Sequence, residues 1–273
     1  MPTCQLPSIE LFYQERGQGE PLIFLSGLGG DHLYWMGQLR AFSKHFRCIA
    51  IDIRDVGQST YMADSYEISD IAADLADFMR HLHLPPAHIV GLSMGGMIAQ
   101  ELALQTPGLV KSLVLSNTIA RADDWFASTL NAFEAIRKQV PDTATFFETV
   151  LPWWVSFRFF ADSGRISWLR YLLHQNPHQQ KREGFFHQLE AIRKFDTLNR
   201  LSAIKCPTLI VAGEDDWLAP CRYSRELHDR IAGSELSVVP GVGHAFPIEN
   251  PGEFNSCLSK FLLGPESYRR RSA

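Results

Sequence analysis

Gly91-Leu92-Ser93-Met94-Gly95 interrupts an apolar run and sets one serine where a strand gives way to a helix. In a G-x-S-x-G turn the serine takes a strained backbone conformation, and its glycine neighbours are small because larger side chains would collide there. A serine hydroxyl is a weak nucleophile at neutral pH, so it needs a base to take its proton and a third group to fix that base. His244, in the glycine-rich stretch Pro240-Gly241-Val242-Gly243-His244, is the candidate base. His81, His83, His174, His178, His187 and His228 fall in helical or polar segments and read as surface or packing residues. The acid is expected between Ser93 and His244 in the chain. Asp216, the fourth residue of G-x-x-D-x-x-x-P at Gly213 to Pro220, is preferred, with Asp215 as the alternative. Asn117 cannot supply the negative charge. The oxyanion that forms in acyl transfer needs preorganised N–H donors, one after the nucleophile and one from an earlier strand-to-helix loop. Met94 and Leu28 occupy those places, the latter in Ser26-Gly27-Leu28-Gly29-Gly30.

These residues can meet only if each stands at the same edge of one sheet. Pro21 to Leu25, Cys48 to Asp52, His88 to Leu92, Ser112 to Ser116, Thr208 to Gly213 and Glu235 to Val239 are short apolar runs, the pattern of strands covered on both faces. Ile9 to Gln14 alternates and is followed by Arg16-Gly17-Gln18-Gly19, so it reads as an edge strand in a hairpin with the run at 21–25. Helical spacing lies between the runs. Leu33 to Lys44 has helical length, and Ile71, Leu75, Phe78, Met79 and Leu82 form an apolar face that stops before Pro85-Pro86. Alternating βαβα order implies a mainly parallel sheet with helices on both faces, whose sites lie at the carboxyl ends of the strands.

The alternation breaks between Ile119 and about Arg200, giving a core of residues 1–118 and 201–273 and a helical lid of residues 119–200. Residues 121–200 carry 15 of the chain's 31 aromatics, well above their share of its 273 residues. Most of them should form the lid's own core, because aromatics are first of all large buried area. A few should line an apolar substrate pocket, for which Trp35, Trp125, Trp153, Trp154 and Phe246 are the candidates.

Composition narrows the class. Hydrophobic residues at 45% and charged residues at 21% are ordinary globular values, and a net charge of -4 argues against nucleic acid as a partner. Arg269-Arg270-Arg271 reads as a solvated tail. Cys4, Cys48, Cys206, Cys221 and Cys257 show neither paired nor metal-type spacing, so reduced thiols and no metal are expected. No signal segment and no apolar stretch of about 18 residues is visible, which points to a cytoplasmic protein without a membrane partner.

With these pieces in this order, nearly the whole chain resembles the α/β-hydrolase superfamily. The resemblance implies an eight-stranded, mostly parallel sheet with the lid inserted after the sixth strand, and a triad of Ser93, Asp216 and His244. Gly91 to Gln100 is similar to the serine esterase and enol-lactone hydrolase branch, and Arg54-Asp55-Val56-Gly57-Gln58-Ser59 resembles the R-D-x-G-x-S of aclacinomycin methylesterase-like proteins. Ser26 departs from the His-Gly usual in the oxyanion loop, removing an imidazole but not the Leu28 amide. The serine argues against the dehalogenases and epoxide hydrolases of the family, which use aspartate there. Carbon–carbon bond hydrolases usually carry Asn before the serine and Trp after the histidine, where this chain has Leu92 and Ala245. The expectation is a cofactor-free serine hydrolase of an apolar or aromatic ester or lactone. The alternatives are carbon–carbon bond hydrolysis, acyl transfer on the same triad, and a ligand receptor built on the hydrolase fold.

Overall fold

The computed structural model describes residues 2–264, so the three arginines at 269–271 lie outside the described residues. Eight strands form one sheet: β1 (Thr3–Gln5), β2 (Glu10–Arg16), β3 (Pro21–Leu25), β4 (Arg47–Ile51), β5 (Ala87–Leu92), β6 (Val110–Ser116), β7 (Thr208–Gly213) and β8 (Glu235–Val239). Their order is β1-β2-β4-β3-β5-β6-β7-β8. β1/β2 and β2/β4 pair antiparallel, and every later pair is parallel.

The hairpin between β2 and the 21–25 run is not formed. β2 pairs with β4 instead, Tyr13 opposite Ile51 and Arg16 opposite Cys48, while β3 lies between β4 and β5. Burial explains the exchange. Leu22 and Phe24 enter one core, Ile23 and Leu25 the other, and a strand with apolar residues on both sides is most stable between two others. β1 is an additional three-residue strand at the edge, too short to show a period in the sequence.

Helices cover both faces. α1 (Met36–Phe42) and the C-terminal α12 (Pro251–Leu263) lie over Phe24, Trp35 and Phe42. α2 (Ile68–His81), α3 (Met94–Gln105) and α10 (Cys221–Arg230) cover the larger core on the opposite face. α2 starts at a reciprocal Glu67/Asp70 capping box and buries Ile71, Leu75, Phe78 and Met79, the face expected from their spacing.

Six helices separate β6 from β7: α4 (Asp124–Gln139), α5 (Thr143–Thr149), α6 (Leu151–Trp154), α7 (Phe157–Ala161), α8 (Ser163–Gln175) and α9 (Arg182–Lys194). Four of them begin at side-chain caps, Asp123, Asp142, Ser156 and Asp162, each accepting from backbone amides in the first turn. Phe133 and Phe185 meet Phe146 edge-to-face at 5.7 and 4.7 Å, which ties α4 and α9 to α5. A short helix, α11 (Phe246–Glu249), follows β8. No helix among the described residues is long and apolar enough to cross a membrane, and all five cysteines are unpaired.

Candidate active site

β5 runs straight into α3 through Ser93, whose φ of 54° and ψ of -118° lie outside the regions open to most side chains. Such a conformation costs about 1–3 kcal/mol and persists only where the surroundings impose it. Here they do. A Cβ at Gly91 would overlap the Gly95 carbonyl, and one at Gly95 would overlap the Leu25 carbonyl at the end of β3. The Ser93 amide donates to Ser116 O at 2.9 Å, and Thr118 Oγ1 donates to Ser93 O at 2.7 Å. The side chain is half-buried, and its Oγ has no hydrogen-bond partner among the described residues.

The loop after β8 carries His244, 3% exposed, with Nδ1 at 2.8 Å from Asp216 Oδ2. Asp216 is held from all sides. Its Oδ1 accepts from the Leu218 and Ala219 amides, both at 2.8 Å, and its Oδ2 also accepts from Asn117 Nδ2 at 2.8 Å. Asp215 makes no hydrogen bond to His244 among the described residues. Asn117 joins the serine side to the acid side, because it directly follows Ser116, the residue that holds the Ser93 amide. Ser93, Asp216 and His244 thus converge at the carboxyl ends of β5, β7 and β8. No hydrogen bond joins Ser93 Oγ to His244 Nε2 among the described residues, and catalytic hydrogen bonds tighten in the Michaelis or transition-state complex.

The 26–31 loop after β3 lies against the serine: a Cβ on Gly27 would stand 3.1 Å from Ser93 Cβ. Neither the Leu28 amide nor the Met94 amide has a hydrogen-bond partner among the described residues, so both are free to bind an anion. Ser26 Oγ donates to Asp31 O at 3.0 Å, closing the loop on itself. Burial, and next the charge of Asp52, push the Asp31 carboxyl above the usual carboxylate range.

The five aromatic pocket candidates go to different places. Trp35 is fully buried between Phe24 and Phe254, and Phe246 packs on Phe254; both belong to the core beneath α1 and α12, and neither lines the cavity of about 520 Å³ that Trp154 reaches. Trp125 is 58% exposed on the outside of α4. Trp153 meets Phe133 edge-to-face within the lid. Trp154 alone lines the cavity of about 520 Å³ between α8 and the 29–38 segment, stacked on Phe147 at 4.4 Å. Aromatic identity signals burial, but not which side of the sheet receives it.

Three polar residues that sequence reasoning passed over hold the site. Asn117 was set aside as an acid, yet it fixes the Asp216 carboxylate. Its φ of 48°, in the left-handed region that asparagine tolerates, brings it there, and an asparagine just past a buried strand was the available signal. Glu249, 3% exposed, accepts from the Gly243 amide and the Ser156 amide at 3.0 Å each, and from Ser156 Oγ. It therefore ties the histidine loop to the lid, as does the 2.7 Å bond from the Ala245 amide to Trp154 O. Gln188, fully buried on α9, accepts the Gly29 amide at 3.0 Å. Neither Glu249 nor Gln188 stands in a local motif. Glu249→Ala strips the acceptor from three buried donors and is expected to cost about 2–4 kcal/mol of stability, measured by urea unfolding; an unchanged midpoint would contradict this role.

Residues 20–251 match the α/β hydrolase fold family, and the chain belongs to it. A protein named "Putative carbamate hydrolase RutD" from Agrobacterium fabrum is 32% identical over 89% of this chain and 93% of its own length. Among solved structures, the enol-lactonase from Burkholderia xenovorans LB400 superposes with a TM-score of 0.86 at 26% identity, covering 96% of this chain and all of its own. A thermophilic esterase from Thermogutta terrifontis superposes with a TM-score of 0.82 at 26% identity, covering 95% of this chain and 96% of its own. The protein is an α/β hydrolase.

Proposed function

We propose that this hydrolase cleaves carboxylic esters or lactones through an acyl-enzyme on Ser93. The observation that carries the reading is the hydrogen-bonded line Asn117–Asp216–His244 arriving beside an elbow serine whose hydroxyl is unspent. His244 Nε2 takes the Ser93 proton as Oγ attacks the carbonyl carbon, and Asp216 stabilises the imidazolium that results. The negative oxygen of the tetrahedral intermediate is bound by the Leu28 and Met94 amides. Collapse of that intermediate expels the alcohol, which receives the proton from His244. Water, deprotonated by the same histidine, then releases the acid. None of these steps calls for a cofactor.

The 520 Å³ cavity supports a substrate with an apolar group, since Phe147, Trp154, Leu169, Leu172 and Ile248 make up much of its wall. Gly29, the neighbour of Leu28, and Pro247, three residues past His244, also line it, while Ser93, Leu28, Met94 and His244 are not among its wall residues. The similarity to a protein named as a carbamate hydrolase favours a second reading, attack of Ser93 on a carbamoyl carbon. Nitrogen donation makes that carbon less electrophilic, but the residues would act in the same way.

A panel of p-nitrophenyl butyrate, phenyl butyrate, phenyl acetate, an alkyl γ-lactone and phenyl carbamate separates the two. The ester reading, tested with phenyl acetate beside phenyl butyrate so that the leaving group is the same, expects kcat/KM for phenyl butyrate to be higher by about 10-fold or more, the effect of the longer acyl chain in the apolar cavity. Preference for phenyl carbamate over every ester and lactone would replace it with the second reading.

A further inference from the structure

We infer that Gln188, on the lid helix α9, is a positioning residue of the oxyanion hole, so that a seated lid and a competent Leu28 amide are one state. The inference rests on the serine-hydrolase reading above. Its starting point is the turn at Gly27 to Gly30, closed by the Gly30 amide on Gly27 O at 3.1 Å, with Gly29 at a φ of 71°. A left-handed glycine at the third position is the pattern of a type II turn. The alternative, type I, differs by rotating the central peptide plane, here the one joining Leu28 to Gly29. Glycine at that position already favours type II, and Gln188 Oε1 holds the plane there by accepting its N–H at 3.0 Å across 159 residues of chain.

The orientation of Gln188 is itself determined. Its Nε2 donates to Arg54 O at 3.0 Å, so its oxygen must face Gly29. Gln180 Nε2 donates to the same oxygen and to Asp55 O, both at 2.9 Å. Reversing either amide would set oxygen against oxygen. Gln180 Oε1 is consequently turned away from every donor and buried without a partner, 3.0 Å from where a Gly29 Cβ would be. Phe147, from α5, closes the remaining side at 2.8 Å from that point. Asn176, at the end of α8, donates to Asp31 Oδ2 at 2.8 Å, anchoring the last residue of the same loop.

Three lid segments thus grip residues 29–31, and none of them touches the Leu28 amide, which is left free for the oxyanion. If α9 lifts, Gly29 loses its acceptor, and the Leu28 Cα, where the 28–29 plane meets the 27–28 plane that carries the Leu28 N–H, loses its anchor on that side. A misplacement of about 1 Å in such a group can cost a hundredfold in rate.

Gln188→Leu keeps the volume and removes the acceptor. Its kcat for p-nitrophenyl butyrate is expected to fall about 10–100-fold with KM changed less than threefold. Affinity for a trifluoromethyl ketone, which becomes an oxyanion on Ser93, should fall by the same factor, while affinity for the corresponding methyl ketone stays within twofold. A rise in KM alone, or a trifluoromethyl ketone bound as tightly as by the wild type, overturns the inference. Should the variant not fold, hydrogen exchange of the wild type gives the answer: the Gly29 amide should be protected at least about 100-fold over an open chain, and exchange at the open-chain rate overturns the inference. Ser93→Ala run alongside separates the two levels. Full turnover in that variant removes the reading beneath, whereas its loss together with an unaffected Gln188→Leu enzyme removes only the role of Gln188.

Discussion

Ser93→Ala is expected to lower kcat for p-nitrophenyl butyrate by about 10⁴–10⁶-fold while stability stays within about 0.5 kcal/mol of the wild type. The two effects have separate origins. The rate falls because no other hydroxyl stands where Oγ does, on a turn that the overlaps at Gly91 and Gly95 hold in place. What remains is hydrolysis by water, still assisted by the Leu28 and Met94 amides and by substrate binding. Stability is preserved because alanine also carries a Cβ, so the strain at a φ of 54° is common to both proteins. Thermal unfolding beside steady-state kinetics reads both quantities, and a fall in rate accompanied by a collapse of the fold would not identify a nucleophile.

Asp216→Asn is expected to cost about 10⁴-fold in kcat through the wrong histidine tautomer. Oδ1 of Asp216 accepts from two backbone amides, at Leu218 and Ala219, and these cannot move. In the variant the asparagine oxygen must stay with them, which turns its NH₂ toward His244 Nδ1 and Asn117 Nδ2. His244 then accepts at Nδ1 and carries its proton on Nε2, the atom that should receive the proton of Ser93. The same NH₂ faces the NH₂ of Asn117, now with no shared acceptor between them. The additional Asn117→Asp change restores an acceptor to that gap and should recover part of the stability but little of the rate, a split that separates packing from proton transfer. Equal activity of wild type and Asp216→Asn would contradict the arrangement.

The interior of the fold was legible because the inner strands are buried on both faces, so β3 to β7 stand out as short apolar runs, and the partly buried edge strand β8 still carries three apolar residues in five. Pairing was harder to read. The turn at 17–19 suggested a β2–β3 hairpin, but central burial of β3 outweighed the local turn, and β2 went to β4. At the candidate site, the residues that local sequence singles out are a serine between glycines and an aspartate and a histidine at strand ends. Residues acting across long sequence separations are not singled out in this way. Gln188 and Glu249 lie on helices with ordinary local composition, and only the packing of the lid on the core brings them to Gly29 and Gly243. The aromatic candidates divide for a related reason. Trp35 and Trp154 look alike as sequence; Trp35 packs into the core beneath α1 and α12, whereas Trp154, on α6, reaches the cavity.

The central claim is the covalent step at Ser93, and rapid-quench mass spectrometry of the intact protein during turnover of p-nitrophenyl butyrate tests it most directly. A mass increase of one butyryl group in place of a hydrogen, mapped to the peptide containing Ser93, formed and lost at the rate of turnover and absent from Ser93→Ala, is the expected result. Continued turnover by Ser93→Ala, or an acyl group mapped to any other residue at the kinetically competent rate, would contradict it.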